Sequence, residues 1–223
     1  MQESELRKMI LTQTMLPQAP DEIVDRIEDF REYMVLYNSA IREVTTKLEI
    51  LNDELSLRQS KNPIQFIKSR VKKPTSIINK LQRLEQDINV ESVTSLNDVA
   101  GIRVIASFID DVYDIAEMLV KQDDIKLVRV KDYIKNPKPN GYRSYHMIIE
   151  VPVYFSDKKE FVKVEIQIRT VAMDFWASLE HQLRYKKNVE NAESIEAELK
   201  ACADTIASTD LRMMNLRNKM EKN

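Results

Sequence analysis

An α/β (α+β) domain, with a mixed β-sheet of about five strands flanked by helices and long helices at both chain ends, is the fold the sequence predicts. Three observations carry it. Apolar residues recur at helical spacing over 21–57 and again over 195–220. Strand-like runs occupy 101–108, 125–131, 144–153 and 161–169. One helical run, VYDIAEMLV at 112–120, separates the first two of those strands. Neither internal repeats nor a low-complexity linker interrupts the chain. The predicted organisation is therefore a flexible N-terminus over 1–20, one core domain over 21–190, and a C-terminal helix over 191–223 suited to oligomerisation.

Taken in order, the first long helix carries Ile23, Ile27, Phe30, Met34, Ile41, Val44, Leu48, Leu51 and Leu55 on one face. Asn62-Pro63 predicts a short helix reaching about Arg70. Pro74-Thr75-Ser76 opens another, with Ile77, Leu81, Leu84 and Ile88 on its buried side. The four strands and the 112–120 helix follow. From Met173 onward the chain reads as helix. Its last segment holds a loose heptad of Ile195, Leu199, Cys202, Ile206, Met213, Leu216 and Met220, which makes Cys202 a packing residue.

Composition excludes several classes of function. At 223 residues, 31% charged and with a net charge of −2, the chain is of ordinary soluble type. No apolar run approaches the roughly 20 residues of a membrane span. The opening MQESELRKMI carries acids where a signal peptide needs bases, so a cytoplasmic location and no membrane association are expected. The single cysteine excludes an internal disulfide, and with only His146 and His181 beside it a zinc cluster is not expected. Gly101 and Gly141 are the only glycines, so neither a P-loop nor a GxGxxG turn can be written. Phosphates, if held, are held by cationic side chains.

Three stretches carry chemistry. In FVKVEIQIRT (161–170), Val162, Val164, Ile166 and Ile168 point one way, and Lys163, Glu165, Gln167 and Arg169 the other. That second face is either solvated or the wall of a charged cleft. Between Lys61 and Leu84 stand seven bases and no acid, with Ser76, Lys80 and Arg83 on one helical stripe. Arg70, Lys72 and Lys73 crowd a helix N-terminus, where the dipole and free N–H groups favour anions. Phosphate binding and a solvated basic face both fit. In KPNGYRSYH (138–146), Asn-Gly marks a turn and sets Tyr142 on a loop among Arg129, Lys131, Lys135, Lys138 and Arg143. A ring beside cations suits a nucleotide, and a ring that covers a core edge suits the pattern equally.

Taken together, SRVKKPTSIINKLQR, DVAGIRV, DYIKNPKPNGYRSYH and EIQIRTVAMDFWASLEHQLRYK resemble, in order and spacing, the synthetase domain of RelA/SpoT proteins. The likeness spans roughly 20–220 and is greatest to the stand-alone small alarmone synthetases. It implies a nucleotidyltransferase-like synthetase domain over 21–190 that transfers pyrophosphate from ATP to the 3′-hydroxyl of GDP or GTP, making ppGpp or pppGpp and AMP. No hydrolase segment is present in the sequence, so synthesis alone is expected. The resemblance implies that Arg70 and Arg103 sandwich the adenine and that Lys72, Ser76, Lys80 and Arg83 hold the ATP phosphates. It makes Asp98 a Mg²⁺ ligand and Glu165 the base for the 3′-hydroxyl, sharing the metal with Asp98. On the acceptor side it implies that Tyr142 stacks on guanine, that Lys131, Lys138 and His146 meet phosphates with Gln167 beside them, and that Asp174 reads the guanine edge. The other role open to Asp174 is a first-turn acid on the helix dipole.

The resemblance also implies a homotetramer, with single-stranded RNA or (p)ppGpp as candidate regulators. Met213, Met214, Leu216 and Met220 fit an interface, since a monomer would leave them wet. Two rivals stand beside this reading. One is a toxin-type pyrophosphotransferase acting on a tRNA 3′ end or an adenine nucleotide; the other is a non-catalytic RNA-binding module, for which Asp98 and Glu165 would have no use.

Overall fold

The computed structural model describes residues 20–59, 62–185 and 192–221. The predicted flexible N-terminus, and the boundary placed at 190–191, lie outside the described residues.

The long first helix, α1 (Pro20–Gln59), packs with its apolar stripe inward: Tyr37, Ala40, Ile41, Val44 and Leu48 are buried, with Leu51 partly buried beside them. It lies against the sheet and also touches α4 (Ile109–Val120). The sheet holds β1 (Ile64–Val71), β2 (Ala100–Ala106), β3 (Lys126–Asp132), β4 (Tyr145–Tyr154) and β5 (Lys159–Thr170), in the order β1-β2-β5-β4-β3. Only the β2–β5 pair is parallel, and the other three are antiparallel. The expected mixed five-stranded sheet is thus observed. On β5, Val162, Val164, Ile166 and Ile168 are buried against the helical layer, as their alternation predicts.

The fifth strand comes from a segment expected to be helical. Residues 64–71 pair with β2 at the sheet edge, and Phe66 is 40% exposed. An edge strand wets much of both faces, so its sequence shows little alternation, and Asn-Pro before it imitates a helix start. The helix after it, α2 (Pro74–Arg83), buries Ile77 and Leu81 as predicted but stops early. Glu85 takes a positive φ of 54° just beyond it, so Leu84 and Ile88 stand exposed instead of packing. A short helix that periodicity does not predict, α3 (Val90–Ser95), is capped by the Asn89 side chain accepting from Ser92 N at 2.8 Å.

Two helices complete the chain, α5 (Val171–Tyr185) and α6 (Ala192–Met220). The covered side of α6 keeps Ile195, Leu199 and Ile206 of the predicted heptad, while Cys202, Met213, Leu216 and Met220 are exposed. Ala203 and Asp210 are its buried residues, and Leu199, Ile206 and Arg217 lie half-buried along the same side. Cys202 points outward and is exposed, contrary to expectation. The seam keeps a seven-residue repeat, Leu199 and Ile206 beside Ala203, Asp210 and Arg217, and faces α5, α4 and the loop before β4.

Candidate active site

Cross-strand pairing assembles the predicted residues into rows on one sheet face. Lys68, Arg103, Gln167, His146 and Lys131 stand opposite one another across all five strands. The adjacent row reads Arg70, Gly101, Glu165, Ile148 and Arg129. Side chains of paired residues share a face, so Glu165 lies between a cationic edge on the β1 side and another on the β3 side. Gly101 leaves the floor between Arg70 and Glu165 bare. A Cβ there would meet nothing nearer than the Arg70 carbonyl oxygen at 3.8 Å, so protein packing does not demand a glycine.

At one end of this face the N-terminus of α2 is open. Lys73 is its N-cap and provides no side-chain cap, Pro74 starts the helix, and its first turn holds no acid. Lys72 and Lys80 both reach Asp98: Lys72 Nζ is 2.8 Å from Oδ2 and Lys80 Nζ 2.6 Å from Oδ1. Burial pushes the Asp98 carboxyl up, but its two lysine partners outweigh burial and hold it below the usual carboxylate range. Ser76 and Lys80 are half-buried on this side, and Arg83 is exposed at the helix end. Arg70 and Arg103 lie diagonally on neighbouring strands, on the same sheet face.

The other end is the loop 138–144. Gly141 adopts φ 88°, and a Cβ on it would lie 2.5 Å from the Ala203 Cβ, so the loop sits tight on α6. Arg143 ties the two together by donating to the Gly141 and Ala203 carbonyls at 3.1 and 3.3 Å and pairing with Asp204 at 3.1 Å. Lys138 Nζ stands 4.8 Å from the centroid of Tyr142. Tyr142 is half-buried and tethered, not freely exposed: its hydroxyl accepts from Arg169 Nη2 at 2.6 Å and meets His146 Nε2 at 2.9 Å.

Between the two ends stands Glu165. Gln167 Nε2 donates to its Oε2 at 3.1 Å, and His146 Nδ1 lies 3.7 Å from Oε1. Arg169, read from the sequence as part of a cleft wall, is instead only 5% exposed. It donates to Tyr142, to Gln167 Oε1 at 2.9 Å, to Ser144 Oγ at 3.3 Å and to Asp174 Oδ1 at 3.2 Å. The same Asp174 oxygen accepts from Arg103 Nη1 at 3.3 Å, so the carboxylate in the first turn of α5 joins Arg103 of β2 to Arg169 of β5. Period-two alternation finds Arg169 on this face. Its burial comes from Ser144 and α5, which no local pattern predicts.

A mixed sheet that brings two carboxylates, a tethered tyrosine and two cationic edges onto one face is a phosphate- and nucleotide-handling domain. The chain belongs to the RelA/SpoT family: residues 69–190 match the region found in RelA / SpoT proteins. It is 42% identical over 202 residues to the GTP pyrophosphokinase YwaC of Bacillus subtilis, covering 90% of this chain and 96% of that one. The crystal structure of small alarmone synthetase 2 from Bacillus subtilis superposes with a TM-score of 0.78 at 42% identity, over 86% of this chain and 99% of the other. Small alarmone synthetase 1 from the same organism, bound to its product pppGpp, gives a TM-score of 0.76 at 33% identity, over 85% and 97% of the two chains. The likeness places the chain among the small alarmone synthetases.

Proposed function

We propose that this chain is a (p)ppGpp synthetase, transferring the pyrophosphoryl group of ATP to the 3′-hydroxyl of GDP or GTP and releasing AMP. Its relative YwaC is a GTP pyrophosphokinase of nearly the same length, and small alarmone synthetase 1 holds pppGpp. The observation that carries the proposal is the placement of Glu165 midway between the open start of α2 and the Tyr142 loop, on one sheet face.

In this proposal the donor occupies the β1–α2 side. Arg70 and Arg103 flank the adenine, and Lys72, Ser76, Lys80 and Arg83 contact its phosphates. Both lysines rest on Asp98 in the free protein. Phosphate oxygens would draw them off, because the triphosphate offers more negative charge than one carboxylate. Asp98 and Glu165 are hard oxygen donors of the kind Mg²⁺ takes, and are the residues that would hold it beside the donor phosphates. Among the described residues no group of three or more acids, histidines or cysteines could hold a metal ion by itself. Bound there, Mg²⁺ supplies charge neutralisation at the phosphates.

The acceptor lies over the β4–β3 side. Tyr142 stacks on guanine, Lys131, Lys138 and His146 face its phosphates, and Gln167 orients the sugar near Glu165. Asp174 Oδ2 makes no hydrogen bond within the chain among the described residues, and is the oxygen that would accept from the guanine ring N–H and amine. Glu165 takes the proton of the 3′-hydroxyl as that oxygen bonds to the β-phosphorus. The bond from this phosphorus to the bridging oxygen breaks in line, and the oxygen leaves with AMP. Positioning and charge do most of the work in such transfers.

The chain acts as a homotetramer in the cytoplasm, with single-stranded RNA or (p)ppGpp as regulators. No helix among the described residues is long and apolar enough to cross a membrane. Purified protein with labelled ATP, Mg²⁺ and, separately, GDP, GTP, an adenine nucleotide or tRNA tests the proposal by product chromatography. Label in ppGpp or pppGpp is the expected result. Label in tRNA or an adenine nucleotide would support the toxin-type alternative, and no transfer at all the RNA-binding one.

A further inference from the structure

Arg169 can only donate hydrogen bonds, and that fact orders everything around it. Its Nη2 reaches two acceptors, the Tyr142 hydroxyl oxygen at 2.6 Å and Gln167 Oε1 at 2.9 Å. The Gln167 amide therefore faces Arg169 with its oxygen, which turns its NH₂ toward Glu165 Oε2, 3.1 Å away. The Tyr142 hydroxyl accepts from Arg169 and keeps one hydrogen to give, and the ring nitrogen it meets is His146 Nε2 at 2.9 Å, so donation there pairs that hydrogen. A ring nitrogen that accepts carries no proton in neutral imidazole, so the network assigns the proton to Nδ1. Nδ1 is the nitrogen that faces Glu165 Oε1, at 3.7 Å.

We infer that Arg169 is a positioning residue: it sets the donor direction of two side-chain chains, one through Gln167 and one through Tyr142 and His146, so that both end on Glu165 with an N–H toward it. The inference rests on the assignment of Glu165 as base for its consequence in catalysis, but the directions of the Arg169 and Gln167 hydrogen bonds stand independently of it. Arg169 is suited to the role because it is locked itself. It is 5% exposed, Asp174 Oδ1 offsets its charge from 3.2 Å, and Ser144 Oγ holds its Nε from 3.3 Å. Without it the Gln167 amide can turn its oxygen on Glu165, and the Tyr142 hydroxyl can donate elsewhere. The base would then meet the acceptor hydroxyl in a mixture of geometries.

The chain has two histidines, His146 and the exposed His181, so nitrogen-15 NMR of histidine-labelled protein reads the tautomer directly. The expected parent state has His146 protonated at Nδ1. In Arg169→Met, His146 shifts toward the Nε2-protonated form, and kcat falls by about 10²-fold, the usual cost of a misplaced group, while KM for ATP holds. Arg169→Lys keeps a donor-only head and recovers part of both signals. Should Arg169→Met not fold, Tyr142→Phe removes the hydroxyl alone and is expected to move the His146 tautomer in the same direction. An unchanged Nδ1-protonated His146 in either variant, or parent kcat in a folded Arg169→Met, overturns the inference. An active Glu165→Gln would instead remove the assigned base, leaving the tautomer result to judge Arg169 alone.

Discussion

His146 stands directly opposite Gln167 on the β4–β5 ladder, and from that one row the two side chains face different oxygens of Glu165, Oε1 and Oε2. Burial pushes the Glu165 carboxyl up, and the His146 and Gln167 contacts pull it further down, leaving it below the ordinary glutamate range. A carboxylate held ionised at neutral pH is fitted to accept a proton and unfitted to give one. Glu165→Gln keeps the shape and removes the base. Synthesis is expected to fall by about 10²–10⁴-fold, more if a metal contact is lost as well, while ATP still binds. An initial-rate assay beside a nucleotide-binding titration checks this, and an active variant would remove Glu165 from the mechanism.

Tyr142→Ala separates the acceptor from the donor. Losing an aromatic–base stack weakens GDP and GTP binding by about 1–3 kcal/mol. ATP affinity is expected to hold, because the hydrogen-bonded link from Tyr142 to Arg103 on the donor side runs through Arg169 and Asp174. Isothermal titration of each nucleotide gives the answer, and equal losses for both would make the ring a general support of the face. Asp174→Asn is a finer probe: lower discrimination between guanine and adenine acceptors is expected, and unchanged discrimination would leave Asp174 as a partner of the two arginines alone.

The parts of this site that were legible in the sequence are those whose chemistry repeats at a fixed period. Alternation on β5 places Glu165, Gln167 and Arg169 on one face, and the Ser76, Lys80 stripe follows from helical spacing. The β1 edge was not legible, since a strand paired on one side only exposes Phe66 and Lys68 as readily as it hides Ile64. Nor was the inward face of α6, where Ala203 and Asp210 are buried and Met213 and Leu216 are not, because Ala203 sits against the Gly141 loop and Asp210 accepts from Thr170. Burial of Arg169 is a tertiary fact made by Ser144 and Asp174.

That buried aspartate makes stability depend on pH. Asp210 accepts from Thr170 Oγ1 at 2.5 Å, and burial pushes its carboxyl above the usual range despite this bond. A carboxyl raised in the folded state binds its proton more tightly there than in the unfolded chain. Its ionisation therefore costs stability as pH rises from below about 4 through the folded value, and the cost persists at neutral pH. Asp210→Asn keeps an acceptor for Thr170 without the charge. A higher Tm than the parent at pH 7, narrowing below about pH 4, is expected from melting curves across that range. A lower Tm at pH 7 would show that the ionised form is favoured in place.

Gly141 couples the acceptor loop to α6 by lack of a side chain. Gly141→Ala meets two penalties: a left-handed backbone, worth about 1–2 kcal/mol, and overlap with the Ala203 Cβ. The variant is expected to melt earlier and to bind GDP more weakly, since the loop must lift from α6 and carry Tyr142 with it. Adding Ala203→Gly relieves the overlap and leaves the backbone cost, so partial recovery of GDP binding is the check. No recovery would mean that α6 does not set the position of the loop.

The oligomer prediction has two distinct surfaces to draw on. Along α5, Val171, Phe175, Leu179 and Leu183 recur every fourth residue and are 52%, 58%, 41% and 51% exposed. On α6, Leu211, Met213, Leu216 and Met220 also stand in solvent. Fully burying such a side chain is worth about 1.5–3 kcal/mol, and these are already half covered. A two-fold contact through the α5 stripe would therefore gain on the order of 6–12 kcal/mol from eight side chains, against an association cost of about 4–15 kcal/mol. One stripe alone is marginal. A tetramer of dihedral symmetry needs two different two-fold contacts, and α5 and α6 supply two separate apolar faces. Phe175→Glu together with Leu179→Glu is expected to split tetramers into dimers held by α6, while Met213→Glu with Leu216→Glu acts on the other contact. Light scattering over a dilution series measures both. A parent mass near the 26.1 kDa of one chain at micromolar concentration would overturn the tetramer and leave both stripes without a partner copy.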